Sequence, residues 1–216
     1  MMAELQEFHP QKVLYNLIAI LDYGSGNLRS AARAFEASGE DVVVTSDRTT
    51  ALQAKGLVVP GVGAFAACMQ GLQSVGGDEI VRARKEAGNA TIGICVGMQI
   101  LFRDGDEHAI SELHKGVGIW NESITKINAP ILPHMGWNTI TLDGPTKLFS
   151  GVEKESFYFV HSYAAKKAVG VSQAWTEYGE KILAAVEDGA VCATQFHPEK
   201  SGSAGLKLIR NWVASL

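Results

Sequence analysis

The chain has 216 residues, 46% of them hydrophobic and 19% charged, with a formal net charge of −4. That balance supports one large buried core rather than a disordered chain, and with no run of Lys and Arg anywhere it argues against a nucleic-acid or anionic-membrane surface. The three cysteines, Cys68, Cys95 and Cys192, are widely spaced and form no CxxC, which argues against a disulfide framework or structural zinc and for a reducing cytoplasm.

Residues 1–15 contain Glu4, Glu7, His9 and Pro10 and lack both the apolar core of a signal peptide and the Arg of a transit peptide. They are expected to be a short extension, with a single domain over residues 16–216. No apolar run approaches the roughly 20 residues that span a bilayer. From there strands and helices alternate. Asn16 to Leu21 predicts a buried strand, and Asn27 to Ser38 a helix with Leu28, Ala31, Ala32 and Phe35 on one face. Asp41 to Thr45 predicts a second strand, and Gly56 to Val59 a third that ends at Pro60. Helices are expected over Ala66 to Leu72 and Asp78 to Ala87, a strand over Thr91 to Cys95, and the start of a helix over Gly97 to Phe102. This alternation implies an α/β fold whose parallel sheet is covered on both faces.

The second half changes character. Glu122 to Ile127, His134 to Thr141, Ser156 to Tyr163, Ser172 to Thr176, Ile182 to Glu187 and Ala190 to Phe196 all favour strands. They are expected to form hairpins and longer β connections on the same sheet. A final helix is predicted from Ser203 to Val213, with Leu206, Leu208, Ile209 and Trp212 apolar.

Cys95 stands out by its frame. Gly93-Ile94-Cys95-Val96-Gly97 lies between a predicted strand and a predicted helix, as a nucleophile elbow does. Flanking glycines are needed there because side chains would collide with the neighbouring elements. At a helix start, free N–H groups and the dipole favour the thiolate, and the N–H of Val96 would face a developing oxyanion. A thiol nucleophile needs a base and the base needs orienting. His197-Pro198-Glu199 offers both, because in extended chain residues i and i+2 project to one side, about 7 Å apart. A zinc reading of H-x-E lacks its C-x-x-C partner. The order nucleophile, His, Glu also differs from that of the α/β-hydrolases. Pro60-Gly61-Val62-Gly63 ends a strand and offers a second oxyanion donor at Val62, with glycines that let the peptide reorient.

Gly93 to Gln99 together with Gln195 to Ser201 resembles the signature pair of the class I glutamine amidotransferases. Asp22 to Leu28, Pro60 to Phe65, His134 to Asn138 and Tyr158 to Tyr163 narrow the resemblance to the glutaminase subunits of imidazole glycerol phosphate synthases, over about Asn16 to Trp212. Val96 stands where many members have Leu. The resemblance implies a Rossmann-like fold with the elbow at the carboxyl ends of the strands. It implies glutamine hydrolysis through Cys95, His197 and Glu199, with glutamine bound by Gly63, Gln99, Ser162 and Tyr163. It implies no metal or cofactor, and a heterodimer with a (βα)₈-barrel cyclase subunit that consumes the ammonia in histidine biosynthesis. Asn27, Trp137, Asn138 and Lys200 match motif positions near that interface. The alternatives are a subunit serving anthranilate or pyridoxal phosphate synthesis, a scaffold that only binds glutamine, and a free-standing peptidase or γ-glutamyl hydrolase. The alternative for Trp137 is a core residue, for Lys200 a solvated charge and for His161 a strand-end packing residue, whereas Cys68, Cys192, Trp120, Trp175 and Trp212 are expected to pack in the core.

Overall fold

A computed structural model of the chain describes residues 16–216; the expected extension, residues 1–15, lies outside them. The first half follows the predicted order: β1 (Leu17–Leu21), α1 (Leu28–Glu36), β2 (Asp41–Thr45), α2 (Arg48–Gln53), β3 (Gly56–Gly61), α3 (Phe65–Ser74), α4 (Gly77–Glu86), β4 (Ala90–Cys95) and the single-turn α5 (Val96–Gln99). Every residue of β1 and β3 is buried, as expected of parallel strands covered on both faces. Between β2 and β4 the order in the sheet is β2-β1-β3-β4, all parallel. The carboxyl ends of β3 and β4 therefore meet at one edge.

The second half contains β5 (Phe102–Gly105), β6 (His114–Lys115), β7 (Trp120–Lys126), β8 (His134–Thr139), β9 (Thr141–Asp143), β10 (Ser156–His161), β11 (Tyr163–Ala164), β12 (Ser172–Tyr178), β13 (Glu180–Asp188), β14 (Val191–Thr194) and the closing α6 (Gly202–Val213). Strands β14, β13, β12 and β9 extend the main sheet to eight strands. β14 lies parallel to β4 and antiparallel to β13, so it is the seam between the two halves.

Four expectations need correction. The second-half strands do not all join one sheet: β10 pairs with β8 alone, and β11, β7, β5 and β6 form a third sheet. The single strand expected from His134 to Thr141 breaks at Ile140, because β8 pairs with β10 whereas β9 crosses to β12. Phe102 opens a strand rather than continuing a helix, and α5 stops after one turn. Strand β3 runs through Pro60 to Gly61, paired there with Ile94 and Cys95 of β4. On the other side β1 pairs only as far as Val58, so Pro60 sits where no ladder N–H is demanded of it on that flank.

One buried cation ties the first layer together. Arg84 on α4 is fully buried and donates to the carbonyls of Ala51, Leu52, Ala54 and Ala90 and to Thr91 Oγ1. Burial pulls its guanidinium down to about 10, so it stays charged at neutral pH, and among the described residues its partners are carbonyl dipoles and one hydroxyl. Trp120, Trp175 and Trp212 are buried, as are Cys68 and Cys192.

Candidate active site

The thiol sits at a strained corner. Cys95 ends β4 with φ 56° and ψ −115°, a positive φ that L-residues avoid. The crowding that holds it there is measurable at the two flanking glycines. A Cβ at residue 97 would stand 1.9 Å from the Val59 carbonyl oxygen, and one at residue 93 would stand 2.7 Å from the Gly97 carbonyl oxygen. The elbow geometry is thus dictated by main-chain contact between β3, β4 and α5. The expected help from a helix dipole shrinks, because α5 has only four residues and a macrodipole needs aligned turns. The local N–H groups remain.

His197 follows β14, the strand beside β4, which brings the two side chains to the same edge of the sheet. It is 2% exposed, and its main chain is tied down at both ends: its N–H donates to the Tyr158 carbonyl at 2.9 Å, and its carbonyl accepts from Ser201 Oγ at 2.6 Å. Its Nδ1 lies 2.7 Å from Glu199 Oε1. Burial by itself pushes the imidazole down. Hydrogen bonds to Cys95 and Glu199 outweigh it and lift His197 to about 9. The route from His197 to Glu199 differs from the extended dipeptide expected: Pro198–Lys200 forms a 3-10 turn, which folds the carboxylate back under the ring. The second carboxylate oxygen, Glu199 Oε2, is buried without a partner among the described residues. It leaves Glu199 with an acceptor in reserve.

A cavity of about 300 Å³ opens onto the thiol, at the lower end of the range for small-ligand sites. Of the expected residues, Val62, Gly63, Cys95, Val96, Gln99, Ser162, Tyr163, His197 and Lys200 line it. Glu199 stands behind His197 rather than in the wall. Gln99 is buried, and both hydrogens of its amide are committed, to the Tyr163 carbonyl at 2.9 Å and to Gln195 Oε1 at 3.0 Å. Its carbonyl oxygen is therefore the end left for a ligand. The Val62 peptide is already paired on both sides. Its N–H donates to Ser25 Oγ at 3.2 Å, and its carbonyl accepts from Ser25 Oγ at 2.9 Å and from the Cys68 thiol at 3.3 Å. In this conformation that amide is not free to meet an oxyanion.

Of the expected interface positions, Lys200 alone lines the cavity. Asn27 caps α1, its Oδ1 accepting from Ser30 N at 3.2 Å. Trp137 is 59% exposed, which rules out the core alternative, and it meets Tyr158 edge-on at 6.0 Å. Asn138 turns inward, onto His134 and the Glu177 carbonyl. Four wall residues were not anticipated as site residues: Glu107, Pro133, Val160 and His161. Glu107 also accepts from Phe65 N at 2.7 Å, capping α3, which has no side-chain cap of its own. Gln195 lies within the quoted motif, and its amide nitrogen stands 3.9 Å from Cys95 Sγ. Its position just after β14 was the available signal.

Comparison with known proteins agrees with this geometry. Residues 19–216 match the family model described as glutamine amidotransferase class-I. The chain is 51% identical over 203 residues to the imidazole glycerol phosphate synthase subunit HisH of Mycolicibacterium paratuberculosis, covering 92% of this chain and 98% of that protein. It is 51% identical over 208 residues to the HisH of Nocardia farcinica, with the same coverage. A solved glutamine amidotransferase superposes with a TM-score of 0.70 at 18% identity, over 93% of this chain and 100% of that one. PurLQS from Thermotoga maritima gives 0.70 at 17%, over 93% and 99%; at such identities the likeness is one of fold. The chain belongs to the class-I glutamine amidotransferases, and within them to the HisH subunits of imidazole glycerol phosphate synthase.

Proposed function

We propose that this chain hydrolyses glutamine and hands the ammonia to a cyclase subunit, as the glutaminase half of an imidazole glycerol phosphate synthase in histidine biosynthesis. The observation that carries the reading is the buried thiol in a positive-φ elbow beside a histidine that is itself bonded to a buried carboxylate. The hydrogen bonds that lift His197 favour a proton on its ring, and a thiol nucleophile works by giving its proton to such a base. The sulfur attacks the side-chain amide carbon of glutamine and the carbonyl π electrons move to oxygen. Val96 N–H is the oxyanion donor supplied by the elbow itself. Collapse breaks the C–N bond, and the leaving nitrogen takes the His197 proton and departs as ammonia. A water then loses a proton to His197 and attacks the thioester, releasing glutamate and restoring the thiolate. Glu199 keeps the imidazole oriented through both halves.

Gln99 Oε1, Gly63, Ser162 and Tyr163 hold the glutamine. Asn27, Trp137, Asn138 and Lys200 belong to the rim against which the cyclase sits. The bond between Val62 N–H and Ser25 supports a further element, in which the Gly61–Val62 peptide must turn before the second oxyanion donor is available, and the cyclase with its ligand turns it. Residues 16–216 are the amidotransferase domain. Free, buried cysteines support a reducing cytoplasm, and among the described residues no helix is long and apolar enough to cross a membrane.

The deciding experiment is glutamine hydrolysis by the purified chain, alone and with the cyclase and its nucleotide substrate. Strong stimulation, abolished by Cys95→Ser, is the expected result. Rapid hydrolysis without partner points to a free-standing hydrolase, and none with it to a scaffold.

A further inference from the structure

Behind the cavity wall, two histidines form a polar ladder that the triad does not use. His134 on β8 and His161 at the end of β10 are both buried, with His134 Nδ1 and His161 Nε2 3.1 Å apart. His161 Nδ1 lies 2.9 Å from the Tyr163 carbonyl, and His134 Nε2 3.3 Å from Asn138 Nδ2. The ends fix every proton between them. A carbonyl oxygen can only accept, so His161 carries its hydrogen on Nδ1 and presents Nε2 as an acceptor. His134 must then donate from Nδ1 and accept at Nε2. The amide of Asn138 agrees independently: its oxygen accepts from Thr139 N at 2.9 Å and its nitrogen also donates to the Glu177 carbonyl at 3.0 Å, so nitrogen faces the ring. His134 is clamped as well by stacking, 4.7 Å from Phe159 and 4.1 Å from Tyr178 between ring centroids.

The ladder ends on the Tyr163 carbonyl, which also receives Gln99 Nε2. We propose that His134 is a positioning residue for the glutamine site, acting through His161 and the Tyr163 carbonyl to hold the Gln99 amide with its oxygen toward the cavity. This rests on the glutaminase reading above. With the ladder intact, Gln99 has one favourable amide orientation, and its Oε1 meets a donor of the substrate at no reorganisation cost. With the ladder broken, His161 loses the partner that fixes its ring, its hold on the Tyr163 carbonyl weakens, and the Gln99 amide is left with Gln195 Oε1 as its firm anchor. The consequence falls on ground-state binding, because neither histidine of the ladder is bonded to the sulfur or to His197. Burial pulls both rings well below the ordinary histidine range, to about 4 for His134 and about 3 for His161, consistent with neutral rings at every working pH.

The test has two arms. The nitrogen-15 spectrum of the histidine side chains in the unaltered protein should show both rings in the Nδ1–H form; an Nε2–H form at His161 overturns the ladder outright, with no variant needed. In the complex with the cyclase, His134→Phe keeps the stacked ring and removes both polar contacts. It should raise the KM for glutamine by about tenfold, the loss of one well-placed hydrogen bond, with kcat within about threefold of the unaltered enzyme. His134→Asn places an amide N–H where Nδ1 stood and should bring KM back to within about threefold. An unchanged KM in His134→Phe, a fall in kcat alone, or no rescue by His134→Asn overturns the proposal. Absence of hydrolysis by the unaltered complex would instead overturn the glutaminase reading, and the tautomer spectrum would still decide the ladder.

Discussion

Replacing Glu199 with Gln tests the reading of the site most directly. The exchange keeps the shape of the side chain and removes its charge. In the unaltered protein, hydrogen bonds and charge from Cys95 and Glu199 lift His197 from its ordinary 6.5 to about 9 against the opposing effect of burial. At about 1.36 kcal/mol per pH unit, that lift is about 3 kcal/mol of preference for the imidazolium. The sign follows: the charged ring is favoured at low pH, and its advantage disappears as pH rises through about 9. If the working pair is thiolate and imidazolium, the basic limb of kcat/KM reports that loss. Removing the carboxylate leaves burial opposed by Cys95 alone, so the limb should move toward lower pH by at least about one unit. The rate at neutral pH should fall on the order of a hundredfold or more, as the ring loses the partner that sets its orientation and tautomer. The assay is steady-state ammonia release by the complex between pH 6 and about 10, the span over which the lifted ring would titrate. A basic limb that stays in place in Glu199→Gln, or a rate near that of the unaltered enzyme, refutes the assignment of Glu199 as the group that orients and charges His197.

Three further outcomes are expected. Ser25→Ala removes the hydroxyl that occupies the Val62 N–H and carbonyl, a bond worth about 1 kcal/mol, so hydrolysis without the cyclase should rise about fivefold; an unchanged or lower partner-free rate speaks against the peptide turning. Gly97→Ala drives a methyl group to 1.9 Å from the Val59 carbonyl oxygen, which only a shift of main chain relieves. It should lower the denaturation midpoint and abolish hydrolysis, whereas a stable, active variant would show that the elbow tolerates a wider gap. Arg84→Met leaves the carbonyls of Ala51, Leu52, Ala54 and Ala90 without their common donor. A loss of about 3 kcal/mol and a fall in Tm of roughly 10 °C are expected by calorimetry.

The parts of this fold that sequence reveals are those with a local cause. β1 and β4 are apolar on both faces, and the elbow declares itself by two glycines whose absent side chains are required by contacts under 3 Å. α2 escaped because its six residues bury only Ala51, which leaves no periodicity to read, although Asp47 capping Thr50 N at 2.7 Å was a usable signal. Phe102 was read as helix because Met98, Ile100, Leu101 and Phe102 are all buried, and a continuous apolar run does not distinguish helix from strand. Which sheet a strand joins is a long-range matter. Nothing around Ile140 announces that β8 and β9 part company there. The candidate site followed the same division. The nucleophile and the His-Pro-Glu tripeptide are local patterns, whereas the pairing of His134 with His161 joins residues 27 positions apart and looks like packing until both rings are seen together.

The position of β14 carries a consequence for how the protein comes into being. About a hundred residues beyond β4 in sequence, it is nevertheless an interior strand, seated between β4 and β13, and the main-chain ladder from Val191 to Thr194 against Thr91 to Ile94 is what sets His197 beside Cys95. Such a pairing closes a loop of about a hundred residues, the kind of contact that forms late because its entropy cost precedes its reward. Until that pairing forms, the thiol at the end of β4 has no base beside it, so the reactive pair is assembled by the contact of longest sequence separation in its neighbourhood.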